Sequence, residues 1–234
     1  MSTAGPAETP PRAARLRDGL VVILALTTGA VNAVTFLRLG KVFASVMTGN
    51  LALFGVATAQ RDGGFAINAG VALAGYCLGV LAGATMARAP RAGQPTWPRR
   101  VTVTLAVELI MLAGFSGGWL ALAGHPSGGG QLALLAVASA AMGMQATAVR
   151  RLGQMSSTYL TSTVTGLFEA LAARRWPPSW PRSSGTVGAL VAGAICGGVA
   201  AVQAPAAVPA AVMVPLAVVL ACRLPAAATR ARSR

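Results

Sequence analysis

Apolar residues come in long runs separated by short connections that carry arginine. The first run, Gly19–Leu37, spans about 28 Å as a helix at ~1.5 Å per residue, enough to cross a bilayer core of ~30 Å. Further runs occupy Phe65–Ala87, Val101–Ala123, Gln131–Val149, Gly185–Gln203 and Ala207–Cys222. Pro205, Pro209 and Pro215 make the last one short and predict a kink. Two other segments, Phe43–Gln60 and Ser157–Ala173, are apolar but hold clusters of small polar residues. These are Met47-Thr48-Gly49-Asn50 in the first and Tyr159-Leu160-Thr161-Ser162-Thr163 in the second. Arg12, Arg15 and Arg17 ahead of an apolar run also fit a signal peptide, but Asn32, the threonines and the later spans favour a retained first helix.

Composition narrows the class. The 234 residues are 55% hydrophobic and 10% charged, with mean hydropathy +0.65. A soluble domain carries about 25% charged residues, and disordered chains are poor in apolar ones. An all-α polytopic membrane protein remains. Net charge +14 and pI 11.8 would ordinarily raise nucleic acid as a partner. Here the cations are arginines lying between apolar runs, with Lys41 the single lysine, so they read as topology signals and no nucleic acid is expected. Cys77, Cys196 and Cys222 sit in or at the end of apolar runs without a CxxC or Cys/His cluster, and are expected to be small buried residues, not metal ligands.

The arginines arbitrate the topology. If all eight segments span and the N-terminus is cytoplasmic, 11 basic residues fall inside and 8 outside. If Phe43–Gln60 and Ser157–Ala173 re-enter instead, 16 fall inside and only Arg38, Lys41 and Arg61 stay outside. The positive-inside rule selects about six transmembrane helices plus two re-entrant or broken polar segments. The expected organisation is a flexible cytoplasmic tail over 1–18, one integral membrane domain over 19–222 and a basic cytoplasmic tail over 223–234. Both termini face the cytoplasm of a bacterial inner membrane.

Sliding the chain by 113 positions aligns residues 28–61 with 141–174 and gives eight identities over 34 positions, among them Arg38-Leu39-Gly40 on Arg151-Leu152-Gly153 and Thr48 on Thr161. Asn32 meets Gln145, and the Thr-Gly-Asn cluster meets Thr-Ser-Thr. A small adjustment also matches Gly75, Gly79 and Gly83 to Ala189, Gly193 and Gly197, ladders of the kind that let helix backbones approach closely. In the six-span topology the halves, about 19–123 and 131–222, are inverted repeats, a recurring transporter plan.

Candidate chemistry follows from the polar positions in these spans. Gly49 permits a break between half-helices; Thr48 and Asn50 are placed to cap exposed amides or bind a small polar solute, with Thr161, Ser162 and Thr163 doing the same from the other side. Asn32 and Gln145 read either as interhelical hydrogen-bonding groups or as part of a solute site. Glu108, about 10 Å into its span at ~1.5 Å per residue, is a proton or cation site or else an ion-pair partner for a residue such as Arg100. Glu169, near Arg174 and Arg175, reads as an interfacial ion pair. No catalytic triad, phosphate loop or His-Glu-x-x-His occurs, so neither an enzyme nor a cofactor is expected. The expected partners are the lipid bilayer, a small polar solute and, optionally, further copies of the chain.

Through Phe36-Leu37-Arg38-Leu39-Gly40, Met47-Thr48-Gly49-Asn50, Gly143-Met144-Gln145, Arg150-Arg151-Leu152-Gly153 and Tyr159-Leu160-Thr161, the sequence resembles the YoaK-like family of bacterial membrane proteins. The resemblance covers about 19–222 and implies a multi-span inner-membrane protein, without a substrate. The family often has Asp where this chain has Asn32, Asn where it has Ala146, and Gly where it has Ser162. The resemblance therefore supplies no acid for ion coupling at position 32. Two readings of function stand: a small-solute permease, or a non-transporting membrane scaffold.

Overall fold

The computed structural model describes residues 11–87, 97–152, 160–175, 177 and 179–223. Among these there is no strand; eight α-helices follow one another, with a single turn of 3-10 helix at Pro205–Ala207. The helices are α1 (Pro11–Arg38), α2 (Met47–Ala59), α3 (Gly63–Met86), α4 (Arg99–Ala121), α5 (Gly128–Arg151), α6 (Leu160–Ala172), α7 (Trp180–Gln203) and α8 (Val208–Ala221). Five of them, α1, α3, α4, α5 and α7, are long and apolar enough to cross a membrane. The expected sixth span is the shorter α8, 14 residues with Pro215 inside it. Helix α1 starts at Pro11, inside the stretch expected to be a tail: proline is favoured in a first helical turn, and the Ala, Arg and Leu that follow are good helix formers. Residues 1–10 and 224–234 of the expected tails lie outside the described residues.

The two polar segments form helices of 13 residues each, α2 and α6, about 20 Å long at ~1.5 Å per residue and too short for a core of ~30 Å. They terminate alike. Arg61 and Arg174 both take positive φ, 57° and 49°. Arg61 N donates to Thr58 O and Asp62 N to Ala57 O, while Arg174 N donates to Leu171 O and Arg175 N to Ala170 O.

Small residues set the helix pairing. A Cβ built on Gly29 or Gly193 would lie about 2 Å from a carbonyl oxygen of the facing helix, Leu190 O or Leu26 O, and one on Gly197 would meet Ala30. Helices α1 and α7 therefore run backbone to backbone, and the rising residue numbers on both make them parallel. Gly75, Gly79 and Gly83 meet Ala136, Ala140 and Thr147 in the same way, so α3 and α5 are also parallel. Helix α4 lies antiparallel to α5, with Gly118 against Leu134 and Gly130 against Leu122. It also lies antiparallel to α8, through Trp119 Nε1 donating to Pro205 O at 2.8 Å and Arg223 stacked 4.3 Å over the Trp97 ring. The Arg38 guanidinium donates twice to Ala201 O, at 3.0 and 2.7 Å, and places a cation at the carbonyl end of α7.

These directions sort the charges. The starts of α1, α4 and α7 and the ends of α3, α5, α6 and α8 share one side of the molecule, which carries eleven of the fourteen described Lys and Arg residues. Arg38, Lys41 and Arg61 lie on the other. The three cysteines are exposed, not buried as expected. An outward-facing position of a spanning helix is as apolar as an inward one, so hydropathy does not separate the two.

Candidate functional site

The chain reverses between α1 and α2 through Gly40 (φ 100°) and Lys41 (φ 57°), left-handed conformations that cost glycine little. The break thus comes before Met47, and Gly49, expected at the break, lies within the first turn of α2, where an added Cβ would sit 3.3 Å from Val46 Cγ1. Two asparagines fix this re-entry. Asn32 Nδ2 donates to Ser45 Oγ at 2.7 Å and its Oδ1 accepts from Ser45 N at 3.0 Å. Asn50, fully buried, accepts from Phe43 N at 2.9 Å and donates to Phe43 O at 2.5 Å. Asn50 thus satisfies backbone groups of the re-entrant loop that no helix pairs.

Gln145 and Glu108 belong to a separate buried chain. Thr28 Oγ1 donates to Gln145 Oε1 at 2.6 Å, and Gln145 Nε2 donates to Glu108 Oε1 at 3.0 Å. The chain joins α1, α5 and α4, so Gln145 does bond across the two halves, though not to Asn32. Glu108 is fully buried and its Oε2 has no partner. It forms no ion pair with Arg100.

The remaining candidates come together elsewhere. A partly open cavity of about 930 Å³ takes Thr48 from the start of α2 and Thr161 and Ser162 from the start of α6. Tyr76, at mid-length of α3, and Thr165 add two more hydroxyl groups to its walls. Arg150 from the end of α5 and Glu169 from the third turn of α6 supply one charge of each sign. Glu169 makes no ion pair with Arg174 or Arg175, contrary to expectation. Thr163 is half-buried and does not line the cavity, nor do Asn32, Gly49, Asn50, Glu108 or Gln145. Tyr159 and Gly153 lie outside the described residues.

The start of α2 has Val46 at its N-cap and no side-chain cap, so its first amides, with the positive end of the helix dipole, point toward the middle of the molecule beside Thr48. Sequence reasoning missed Tyr76, Arg150, Thr165, Gly166 and Glu169 as wall residues. The four-residue spacing of Ser162, Gly166 and Ala170, with Thr165 and Glu169 alongside, was a legible signal for one small and polar face on α6. Among the described residues no group of three or more His, Cys, Asp or Glu is placed to hold a metal ion.

Residues 20–222 match the family described as "Protein of unknown function (DUF1275)". The chain belongs to this family. It is also 35% identical over 164 residues to the UPF0700 transmembrane protein YoaK of Bacillus subtilis (strain 168), a match covering 69% of this chain and 70% of that protein. No solved structure matches it. The chain is thus a polytopic membrane protein of the DUF1275 family, and its exposed apolar helices contact the lipid bilayer.

Proposed function

We propose that this DUF1275 protein is a small-solute permease of the bacterial inner membrane, built as an inverted repeat with its solute site where α2 and α6 begin. The observation that carries the reading is a cavity whose walls take hydroxyl groups from both short helices. A short helix that starts at membrane depth presents polar groups there, which persist only where protein buries them or where they line a cavity, as Thr48 and Thr161 do.

Several features support the inverted repeat. Helices α2 and α6 are equal in length and end in the same turn, 113 positions apart. Exchanging α1 with α5, α3 with α7 and α4 with α8 turns the α1–α7 pair into α5–α3 and the α1–α8 pair into α5–α4, all of which occur. Helices α1 and α5 run in opposite directions, as the exchange requires. With eleven described cations on the side where α1 starts and three on the other, both termini are assigned to the cytoplasm.

The test is solute flux in vesicles of phosphatidylethanolamine and phosphatidylglycerol, with radiolabelled glycerol, acetate, ethylamine and a mixture of the protein amino acids as probes. Thr48→Ala combined with Thr161→Ala and Ser162→Ala lowers flux of the carried solute at least tenfold while membrane insertion and thermal stability stay intact. The scaffold reading has its own support, because Asn32, Asn50, Glu108 and Gln145 all bond within the packed interior. It predicts no flux of any probe and a partner protein recovered at fixed stoichiometry.

A further inference from the structure

The cavity walls carry one cation and one anion that do not satisfy each other. Arg150 and Glu169 face the same space, yet neither has an ion-pair or hydrogen-bond partner among the described residues. They sit on different helices, α5 and α6, so each is positioned independently. The rest of the described lining is Gly166 and the hydroxyl-bearing Thr48, Tyr76, Thr161, Ser162 and Thr165, with the Tyr76 ring as its large apolar surface. A volume of about 930 Å³ lies within the range of about 300–1,000 Å³ usual for ligand sites, room for a small solute with some of its water.

Charge accounting selects among solute classes. Solute entry displaces water from around Arg150 and Glu169, and a charge that loses water without gaining a partner is disfavoured. A simple anion compensates Arg150 and repels Glu169. A simple cation does the reverse, and a neutral polyol compensates neither. Only a solute with both charges meets both walls at once, without adding net charge to the membrane interior.

We infer that the solute is a small zwitterion of the α-amino-acid class, with its carboxylate toward Arg150 and its ammonium toward Glu169. The uncapped start of α2, beside Thr48, adds amide donors of the sign that suits a carboxylate. The hydroxyl group of Thr161 serves the remaining polar contacts, with that of Thr165, which already donates to Thr161 O at 3.0 Å, as an acceptor. This assignment rests on the permease reading and gives it a substrate class.

The experiment uses the full-length chain in phosphatidylethanolamine–phosphatidylglycerol vesicles and follows uptake of an equimolar mixture of radiolabelled protein amino acids. Saturable uptake is expected, unaffected by hundredfold excess of propionate, propylamine or glycerol. Arg150→Gln and Glu169→Gln each lower it at least tenfold, while Arg150→Lys and Glu169→Asp retain part of it. Because both positions are exposed to the cavity, the unfolding temperature of each variant stays within a few degrees of the parent. Uptake of propionate, propylamine or glycerol in place of amino acids overturns the zwitterion assignment, as does amino-acid uptake indifferent to both substitutions. Either result leaves the permease reading standing. Absence of flux for every probe overturns both.

Discussion

Helices α2 and α6 share length, register and C-terminal turn, yet they are held differently. The entry to α2 is pinned: Asn50 and Ala57 are fully buried, and Asn50 and Asn32 together take up the backbone polar groups of Phe43 and Ser45. Helix α6 has Thr163 where the 113-residue offset would place that asparagine, and none of its described side chains is buried. The two short helices therefore use their polar residues differently. Helix α2 commits Asn50 to its own entry and keeps Thr48 on the cavity wall, whereas α6 leaves its hydroxyl groups and its acid there. A polar residue at membrane depth is thus no direct sign of a solute site: the backbone's own demand for partners comes first, and what is left over is available for binding.

Substitutions on the two short helices sharpen this contrast, and the largest effect belongs to the helix pairing that frames them. Gly79→Leu, whose Cβ alone would lie 2.0 Å from Ala140 O, is expected to destabilise by at least about 3 kcal/mol and to abolish monodisperse protein in detergent. Asn50→Ala strips the partners from two part-buried backbone groups of Phe43, at up to about 1–3 kcal/mol per orphaned group, so its unfolding temperature should fall. Thr161→Ala, at the cavity end of α6, should change stability by less than about 0.5 kcal/mol in the same thermal scan. Equal losses for Asn50→Ala and Thr161→Ala would erase the distinction between the pinned and the open helix.

Glu108→Ala leaves Gln145 Nε2 without its acceptor and is expected to cost about 1–3 kcal/mol, read as a lowered unfolding temperature. One effect has the opposite sign. Gly166 meets nothing within 4 Å and lies mid-helix, so Gly166→Ala should stabilise by about 0.5–1 kcal/mol. A loss at Gly166 would mean that α6 is packed where the structure leaves it open.

Much of this frame was legible in the amino-acid order. The segments Phe43–Gln60 and Ser157–Ala173 contain α2 and α6, because apolar runs interrupted by small polar clusters mark short helices. The arginine asymmetry matched the side on which α1, α4 and α7 begin. The division of labour among polar neighbours was not legible. Thr48 and Asn50 are two positions apart on a helix and point about 200° apart at 3.6 residues per turn, one into the cavity and one into the core. Which faces which depends on how α2 leans on α3, a tertiary fact. Arg150 looks the same in sequence whether it marks topology or lines a cavity, and Glu169 beside Arg174 and Arg175 suggested a pairing that the C-terminal turn of α6 does not make. Cys77 and Cys196 point outward for a related reason, since lipid and protein interior are equally apolar.

A shared cavity requires α2 and α6 to enter from opposite faces and turn back. In a Cys77→Ser, Cys196→Ser, Cys222→Ser background, single cysteines at positions 41, 61, 151 and 174 are probed in intact cells with a membrane-impermeant maleimide. The expected result is labelling of 41 and 61 from outside, with 151 and 174 reacting only after the membrane is opened. Positions 41 and 61 on different faces would make α2 a full crossing and contradict the shared cavity.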